Sequence, residues 1–355
     1  MPAVTAVVPT RNGGDRLLRT VEALEQQTLR LAEIIVVDDA SDDGSPARVV
    51  ERFPDVQVHR LDQRSGPSAA RNAGLKRAAT DLVLLVDHDI RLAADCVERL
   101  ALARNEWQTV AACPRICLHP EREIVQADGA EPHFVGTLLL RNGFRKASEL
   151  PAADTALVGA APSGCLLVQR EPVLAAGGFD EAIFFYFEDL ELSFRLRALG
   201  HRFIVVPSAR AYHDRGAGLP ELAFRGRGSY PALRLGLTLR HRLFLLLVHY
   251  RVRTLLVLAP ALLVYELASL AMALSRGLAM EWARAWAWEV RNAATLLQRR
   301  RRMQRDRVQP DRVILVGGPL PLAPGVVRSR VSATAVRWLS VGLNAYWRLA
   351  RHLIG

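Results

Sequence analysis

Cysteine is scarce in this chain: four residues in 355, at Cys96, Cys113, Cys117 and Cys165. No Cys-x-x-Cys pair occurs and no histidines cluster at zinc-ligand spacing, so small buried thiols are the expectation. No Gly-x-Gly-x-x-Gly follows the first apolar run, which argues against a flavin or NAD site. The start, Met1-Pro2-Ala3-Val4-Thr5, lacks the basic leader of a signal peptide, and the catalytic part is therefore expected in the cytosol. There is no internal repeat, and the only low-complexity feature is a run of arginines. Acids are scarce in one half only. Residues 225–355 hold five against 22 Arg, a net charge of +17, whereas residues 1–224 hold 31 acids against 25 basic residues, a net of −6. That asymmetry points to an anionic surface partner.

What the N-terminal half does hold is a series of short aliphatic runs, each ending in polar residues. They are Val4 to Pro9, Ile34 to Asp38, Val56 to Leu61 and Leu82 to Asp87. Continuous apolar runs of this length read as strands buried on both faces. Between them lie helical patterns. Leu17, Leu18, Val21 and Leu24 repeat at helix period, and Pro67 to Leu75 reads as a helix opened by proline. Strand–helix alternation predicts a largely parallel sheet flanked by helices. Thr10-Arg11-Asn12, Asp38 to Asp43 and Asp87-His88-Asp89 then fall on one sheet edge, where ligands of open α/β sheets bind. Acids and arginines converging there suit a divalent cation and a nucleotide diphosphate, although Asp87 and Asp89 could equally start a turn.

Further along, Glu188-Asp189 opens a helical pattern carried by Leu190, Phe194, Leu196 and Leu199 and stopped by Gly200. Acids in a first turn also follow from the helix dipole alone. Phe203 to Pro207 reads as a strand, with His213 beyond it as a surface, core or ligand histidine.

Taken together, Val8-Pro9-Thr10-Arg11-Asn12, Val36 to Asp43, Gly66 to Gly74, Asp87-His88-Asp89, and Gly177-Gly178-Phe179-Asp180 with Tyr186-Phe187-Glu188-Asp189 make the chain resemble inverting glycosyltransferase family 2. The resemblance covers roughly the first 215 residues and implies the GT-A fold. It implies that Asp39 contacts the nucleotide base with Asp38 close by, and that Arg71 approaches the nucleotide. Pro9, Thr10, Arg11, His88 and Gly164 complete the implied nucleotide-sugar site. Asp87 and Asp89 would form the DxD metal and diphosphate site, joined by His213, with Mn²⁺ or Mg²⁺ as the cation. Asp189, with Glu188 beside it, would be the general base on the acceptor hydroxyl.

The expected domains are a glycosyltransferase domain over 1–224 and a basic, hydrophobic, helical membrane-associated region over 225–355. Thr254 to Ser275 holds 22 residues with Glu266 as its one charge, flanked by Arg251, Arg253 and Arg276. That length can cross a bilayer, yet Pro260, Glu266 and basic flanks at both ends fit a re-entrant or interfacial hairpin as well. Trp282, Trp286 and Trp288 precede Arg299 to Arg302, Arg305 and Arg307, a pattern suited to the headgroup layer of an anionic membrane. Val331 to Ile354 reads as a basic amphipathic helix, lying on lipid or docked on protein. Arg240-His241-Arg242 followed by apolar helices resembles membrane-associated rhamnosyltransferase-like members of the family. The expected partners are a nucleotide-diphosphate sugar, a glycan or lipid-linked acceptor and an anionic membrane at its cytoplasmic face, with no nucleic acid. A transferase acting on a soluble or peptide-derived acceptor, and a non-catalytic lipid- or nucleic-acid-binding adaptor, are the alternatives.

Overall fold

The computed structural model describes residues 2–150, 155–214, 232–321 and 329–354. The chain divides into two compact units. One is built from Met1–Ala130, Leu140–Leu196 and His201–Gly216, the other from Glu131–Leu139, Arg197–Gly200 and Ala217–Gly355. The boundary expected near residue 224 lies outside the described residues.

The first unit opens with β1 (Val4–Thr10), α1 (Gly14–Glu25), β2 (Glu33–Asp38), α2 (Ser45–Arg52), β3 (Gln57–Arg60), α3 (Pro67–Arg77) and β4 (Leu82–Val86). The four strands pair in parallel, in the order β4-β1-β2-β3, as the alternation predicted. Then follow β5 (Ile90–Leu92), α4 (Cys96–Trp107), β6 (Ala111–His119) and β7 (Val125–Ala127). β8 (Ala130–His133) and β9 (Thr137–Leu140), which fall mostly in the second unit, pair with each other in a separate two-stranded sheet, and the first unit resumes after them. The unit closes with β10 (Ala156–Val158), β11 (Cys165–Gln169), α5 (Arg170–Ala175), α6 (Glu188–Ala198) and β12 (Phe203–Asp214). Here the sheet turns mixed. β11 inserts antiparallel between β4 and β6, β12 pairs parallel with β6, and β10 and β5 pair antiparallel with β12.

Side chains alternate along each buried strand, so the sheet makes two cores. Ala6, Val8, Leu84 and Val86 pack with Leu17 and Val21 of α1 and Val97 and Leu100 of α4. Val7, Ile35, Val83 and Leu85 pack with Ala70 and Leu75 of α3 and Leu192 and Leu196 of α6. All four cysteines are buried and free, as their scarcity suggested. Gly74 is what lets α3 lie on β1, because a Cβ there would stand 2.2 Å from Val7 Cγ1. Gly74→Ala is expected to cost about 1–3 kcal/mol as an overpacked core. Its thermal midpoint should fall by several degrees and recover in part with Val7→Ala; an unchanged midpoint would contradict this packing.

The topology sets the functional edge. Parallel β1, β2 and β4 all end on one side, with Thr10 in register with Asp38. Antiparallel β11 begins on that same side, Cys165 facing Val86. β12 runs with β6 and reaches the edge at its end. A bulge between Val206 and Arg210 lets it continue past the expected stop at Pro207, so His213 sits on the strand itself, in register with Leu118.

The second unit holds α7 (Ala232–His249), α8 (Val252–Ser275), α9 (Ala279–Arg291), α10 (Ala293–Asp306), α11 (Asp311–Ile314) and α12 (Arg330–Ala350). The last turn of a helix leaves carbonyls without partners, and α10 supplies the donors for α7. Arg300 Nη1 donates to the carbonyls of Leu247 and Tyr250, at 2.6 and 2.7 Å. Gln304 donates to Val248 and His249, and Arg307 donates to His249 while pairing with the equally buried Asp311. Part of the arginine run thus turns inward, whereas Arg301, Arg302 and Arg305 stay exposed. α12 matches the expected amphipathic helix.

Candidate active site

Arg71 organises the sheet edge. It projects from α3 with 2% of its side chain exposed. Nη2 donates to Asp87 Oδ1 at 2.6 Å and Nη1 to Glu188 Oε1 at 3.2 Å, while the guanidinium lies 5.4 Å from the Phe179 ring centroid. One cation therefore joins an acid at the end of β4 to an acid at the start of α6. Burial opposes its charge, but Asp87 and Glu188 outweigh that and raise its pKa.

The helix that carries Arg71 also fixes the loop leading to α6. Asn72 Oδ1 accepts from the Phe179 N–H at 2.7 Å and Nδ2 donates to the Phe179 carbonyl at 2.9 Å. Ser68 Oγ donates to the Ile183 carbonyl at 2.9 Å. Gly178, at φ +70°, permits the approach, since a Cβ would stand 2.4 Å from Asn72 Oδ1. Just before Glu188, Tyr186 and Phe187 both adopt left-handed backbone, with φ of 64° and 70°. Such conformations in bulky residues cost energy and persist where the surroundings enforce them. Asn72 and Ser68 are functional candidates that the sequence reading missed. Asn72 lies inside the Ala-Arg-Asn-Ala-Gly motif, but its partner is 107 residues away.

Glu188 and Asp189 share the first turn of α6. Removal from water, then the charge of Asp189, pushes the Glu188 carboxyl up to about 7. Burial also raises Asp189, against the pull of the Leu190 N–H, which donates to Asp189 Oδ1 at 2.8 Å. Glu188 Oε2 is buried without a hydrogen-bond partner among the described residues. A carboxylate pair with a raised pKa at the ligand-binding edge of a sheet is the arrangement from which general bases are made.

Raising a folded-state pKa means that the folded protein holds this proton more tightly than the unfolded chain. The stabilisation is full below the ordinary glutamate pKa and is lost as pH rises through about 7. The thermal midpoint of the wild type is therefore expected to fall relative to that of Glu188→Gln between about pH 5 and pH 8. A pH-independent difference would contradict the assignment.

A second group lies two residues beyond Asp87. His213 Nε2 faces Asp89 Oδ2 at 3.2 Å, and its Nδ1 meets Gln126 Oε1 at 2.7 Å. Because that Gln oxygen only accepts, Nδ1 is the donor in this contact. Burial would raise the Asp89 pKa, but His213 first, then His88 and Arg16, hold it well below the ordinary carboxylate range. An ionised carboxylate beside an imidazole is a donor pair suited to Mn²⁺ or Mg²⁺. Among the described residues no three His, Cys, Asp or Glu side chains converge on a point, and Asp87 turns to Arg71 rather than to Asp89. Gln126 gave no sequence signal, standing 87 residues from the histidine it contacts.

The remaining predicted residues divide by role. Asp38 accepts from the Ser41 N–H at 2.9 Å and from Arg60 at 2.6 Å. Asp39 accepts from the N–H groups of Ser65 and Gly66, at 2.5 and 3.0 Å, and so fixes the turn into α3. Pro9 and Thr10 end β1, with Thr10 Oγ1 buried and without a partner among the described residues, and Arg11 is half-buried in the loop that follows. His88 gives its carbonyl to Thr20 Oγ1. Gly164 leaves open the space beside Asp87, where a Cβ would lie 3.4 Å from Oδ2 and 3.0 Å from Ile90 Cδ1.

This arrangement can be set beside known proteins. Residues 5–152 match the family model described as Glycosyl transferase family 2. The N-acetylglucosaminyl-diphospho-decaprenol L-rhamnosyltransferase of Mycobacterium tuberculosis is 26% identical over 230 residues, covering 59% of this chain and 75% of that one. The pre-mycofactocin glycosyltransferase of the same organism is 31% identical over 241 residues, covering 67% of this chain and 48% of that one. This chain therefore spans about half the length of that second relative. The solved structure of GalNAc-T7 with UDP, GalNAc and Mn²⁺ superposes with a TM-score of 0.55 at 21% identity, over 70% of this chain and 49% of that one. The structural likeness shows the fold, a mixed α/β sheet of GT-A type. With its motifs at that fold's sheet edge and its sequence matched there, the chain belongs to glycosyl transferase family 2.

Proposed function

We propose that this protein transfers a sugar from a nucleotide-diphosphate donor to a hydroxyl of a lipid-linked or cell-envelope glycan, with inversion, at the cytoplasmic face of a membrane. The observation that carries the reading is Arg71, which ties Asp87 at the strand edge to the Glu188-Asp189 pair. Donor-side and acceptor-side acids are thereby held by one guanidinium. As the acceptor oxygen attacks the anomeric carbon, its proton passes to Asp189 and the bond from that carbon to the β-phosphate oxygen breaks. Glu188 and Arg71 position this base, and Gly164 leaves room for the sugar beside Asp87. Asp89 and His213 would hold a divalent cation, which when bound supplies Lewis-acid stabilisation of the leaving diphosphate. A single displacement needs no carboxylate nucleophile, which is why inversion is the expected outcome.

The rhamnosyltransferase relative supports a polyprenol-type acceptor, and Mn²⁺ with UDP in the GalNAc-T7 structure supports the cation and the donor class. The net charge of +17 over residues 225–355 supports an anionic membrane partner. The pre-mycofactocin relative, the more similar of the two by identity, favours a second reading in which the acceptor is not a polyprenol. Incubation with labelled nucleotide sugars and a membrane lipid extract tests the proposal. Labelled product is expected in the organic phase with an inverted anomeric proton signal by NMR. A labelled aqueous product distinct from the donor, formed when a cytosolic extract replaces the lipid extract, would select the second reading, and a retained anomer would remove the single displacement.

A further inference from the structure

Helix α8 turns Val252, Leu256, Leu263, Leu267 and Leu274 outward, each between 57% and 70% exposed. At about 100° per residue these five fall within a sector of about 60°, running some 33 Å along the helix. Thr254, Leu258, Ala261, Ser269 and Ala273 are buried on the opposite side. A continuous apolar sector of this length on a soluble surface calls for a cover.

Glu266, near the middle of the helix, has its carboxylate turned away from that sector. Its Oε2 accepts from Arg242 Nη1 of α7 at 2.6 Å and its Oε1 from Trp286 Nε1 of α9 at 2.9 Å, leaving 12% of the side chain exposed. Arg242 also stacks 4.3 Å from the centroid of Tyr265. The clamp makes the sector uncharged from end to end.

The same clamp decides how the helix meets lipid. Were α8 to cross a bilayer, its middle would lie near the midplane, with about 15 Å of hydrocarbon on each side. Trp286, bonded to that middle, would lie there too. Arg284 and Arg291 follow the same helix, about 3 and 8 Å along its axis from Trp286. Both are exposed, Arg284 with 68% of its side chain. Each would then sit in hydrocarbon, at a cost of about 2.5–3.5 kcal/mol or more. With the helix in the membrane plane, both arginines reach headgroups or water. The flanks agree, since Arg251 and Arg253 stand at one end and Arg276 at the other, where a crossing helix concentrates its basic residues on one side.

We infer that α8 is an in-plane anchor whose apolar sector sinks into one leaflet of an anionic bilayer, with Glu266 clamped out of the lipid by Arg242 and Trp286. The inference rests on the membrane reading of the proposed function and adds its topology. Nitroxide labels on Leu256→Cys, Leu263→Cys, Leu267→Cys and Leu274→Cys in the full-length protein test it, since the native thiols are buried and free. Protein would be bound to phosphatidylcholine vesicles containing phosphatidylglycerol, and label depth read by power-saturation electron paramagnetic resonance. A common shallow depth at all four positions, with binding lost in pure phosphatidylcholine, is the expected result. A profile deep at 263 and 267 but shallow at 256 and 274 would establish a crossing helix and overturn the inference. Labels that remain in water would overturn it and the membrane reading together. Donor turnover by the same labelled proteins reports separately on the transferase reading.

Discussion

Arg71→Met is expected to lower the rate of transfer by about 10²–10³-fold, the scale of losing a group that stabilises charge at a reacting centre. It should also lower stability by about 3–5 kcal/mol, because removing one partner of a buried ionic group strands the others. The stranded groups here are Asp87 and Glu188, held 2.6 and 3.2 Å from the same guanidinium. Methionine has nearly the right length and flexibility to fill the space, so the loss reflects charge and not a cavity. Arg71→Lys should fall between the two, since an ammonium group cannot present a planar fork to two carboxylates on different elements. Kinetics with the donor held saturating, together with a thermal melt, would check both effects. A Met variant within a few-fold of wild type would show that the three charged groups are structural neighbours only.

Asp189→Asn is the second large effect. Asparagine keeps the size of the side chain and its oxygen acceptor for the Leu190 N–H, but it cannot take a proton. Turnover should fall by about 10²–10⁴-fold, the usual contribution of a positioned general base. Affinity for nucleoside diphosphate should stay within a few-fold of wild type, because Asp189 lies on the acceptor side in this account. Calorimetry beside initial-rate kinetics separates the two quantities. Lost affinity with little change in turnover would move Asp189 to the donor site, leaving Glu188, whose carboxyl titrates near 7, as the base.

The parts of this site that were legible in the sequence share one trait: they are contiguous polar residues at the end of an apolar run. Asp38-Asp39 and Asp87-His88-Asp89 could be placed on a sheet edge because β2 and β4 are uninterrupted aliphatic strands. Glu188-Asp189 could be placed because α6 has a readable start and stop. What stayed hidden depends on partners far apart in the chain. Arg71 was expected to approach the nucleotide, and nothing local told that its two hydrogen-bond partners are acids 16 and 117 residues away. Gln126 on His213 and Asn72 on Phe179 were hidden for the same reason. The sheet is largely parallel as read, but its reversal at β11 was not legible, because β11 pairs with β4 and β6 tens of residues away, and β7 and β10, three residues long, are too short for alternation to register. The arginine run read as one lipid-facing feature, whereas helix geometry sends Arg300 and Arg307 inward to the carbonyls that end α7.

The measurement that bears most directly on the central claim is release of nucleoside diphosphate. Purified protein would be offered a panel of nucleotide sugars with Mn²⁺ or Mg²⁺ and a membrane lipid extract as acceptor, beside an Asp87→Ala/Asp89→Ala control. Release with one donor, absent from the control and from metal-free reactions, is the expected result, and it names the sugar. Silence across the panel, with no nucleoside diphosphate bound by calorimetry, would contradict the enzyme reading and leave a basic lipid-binding protein on a transferase fold.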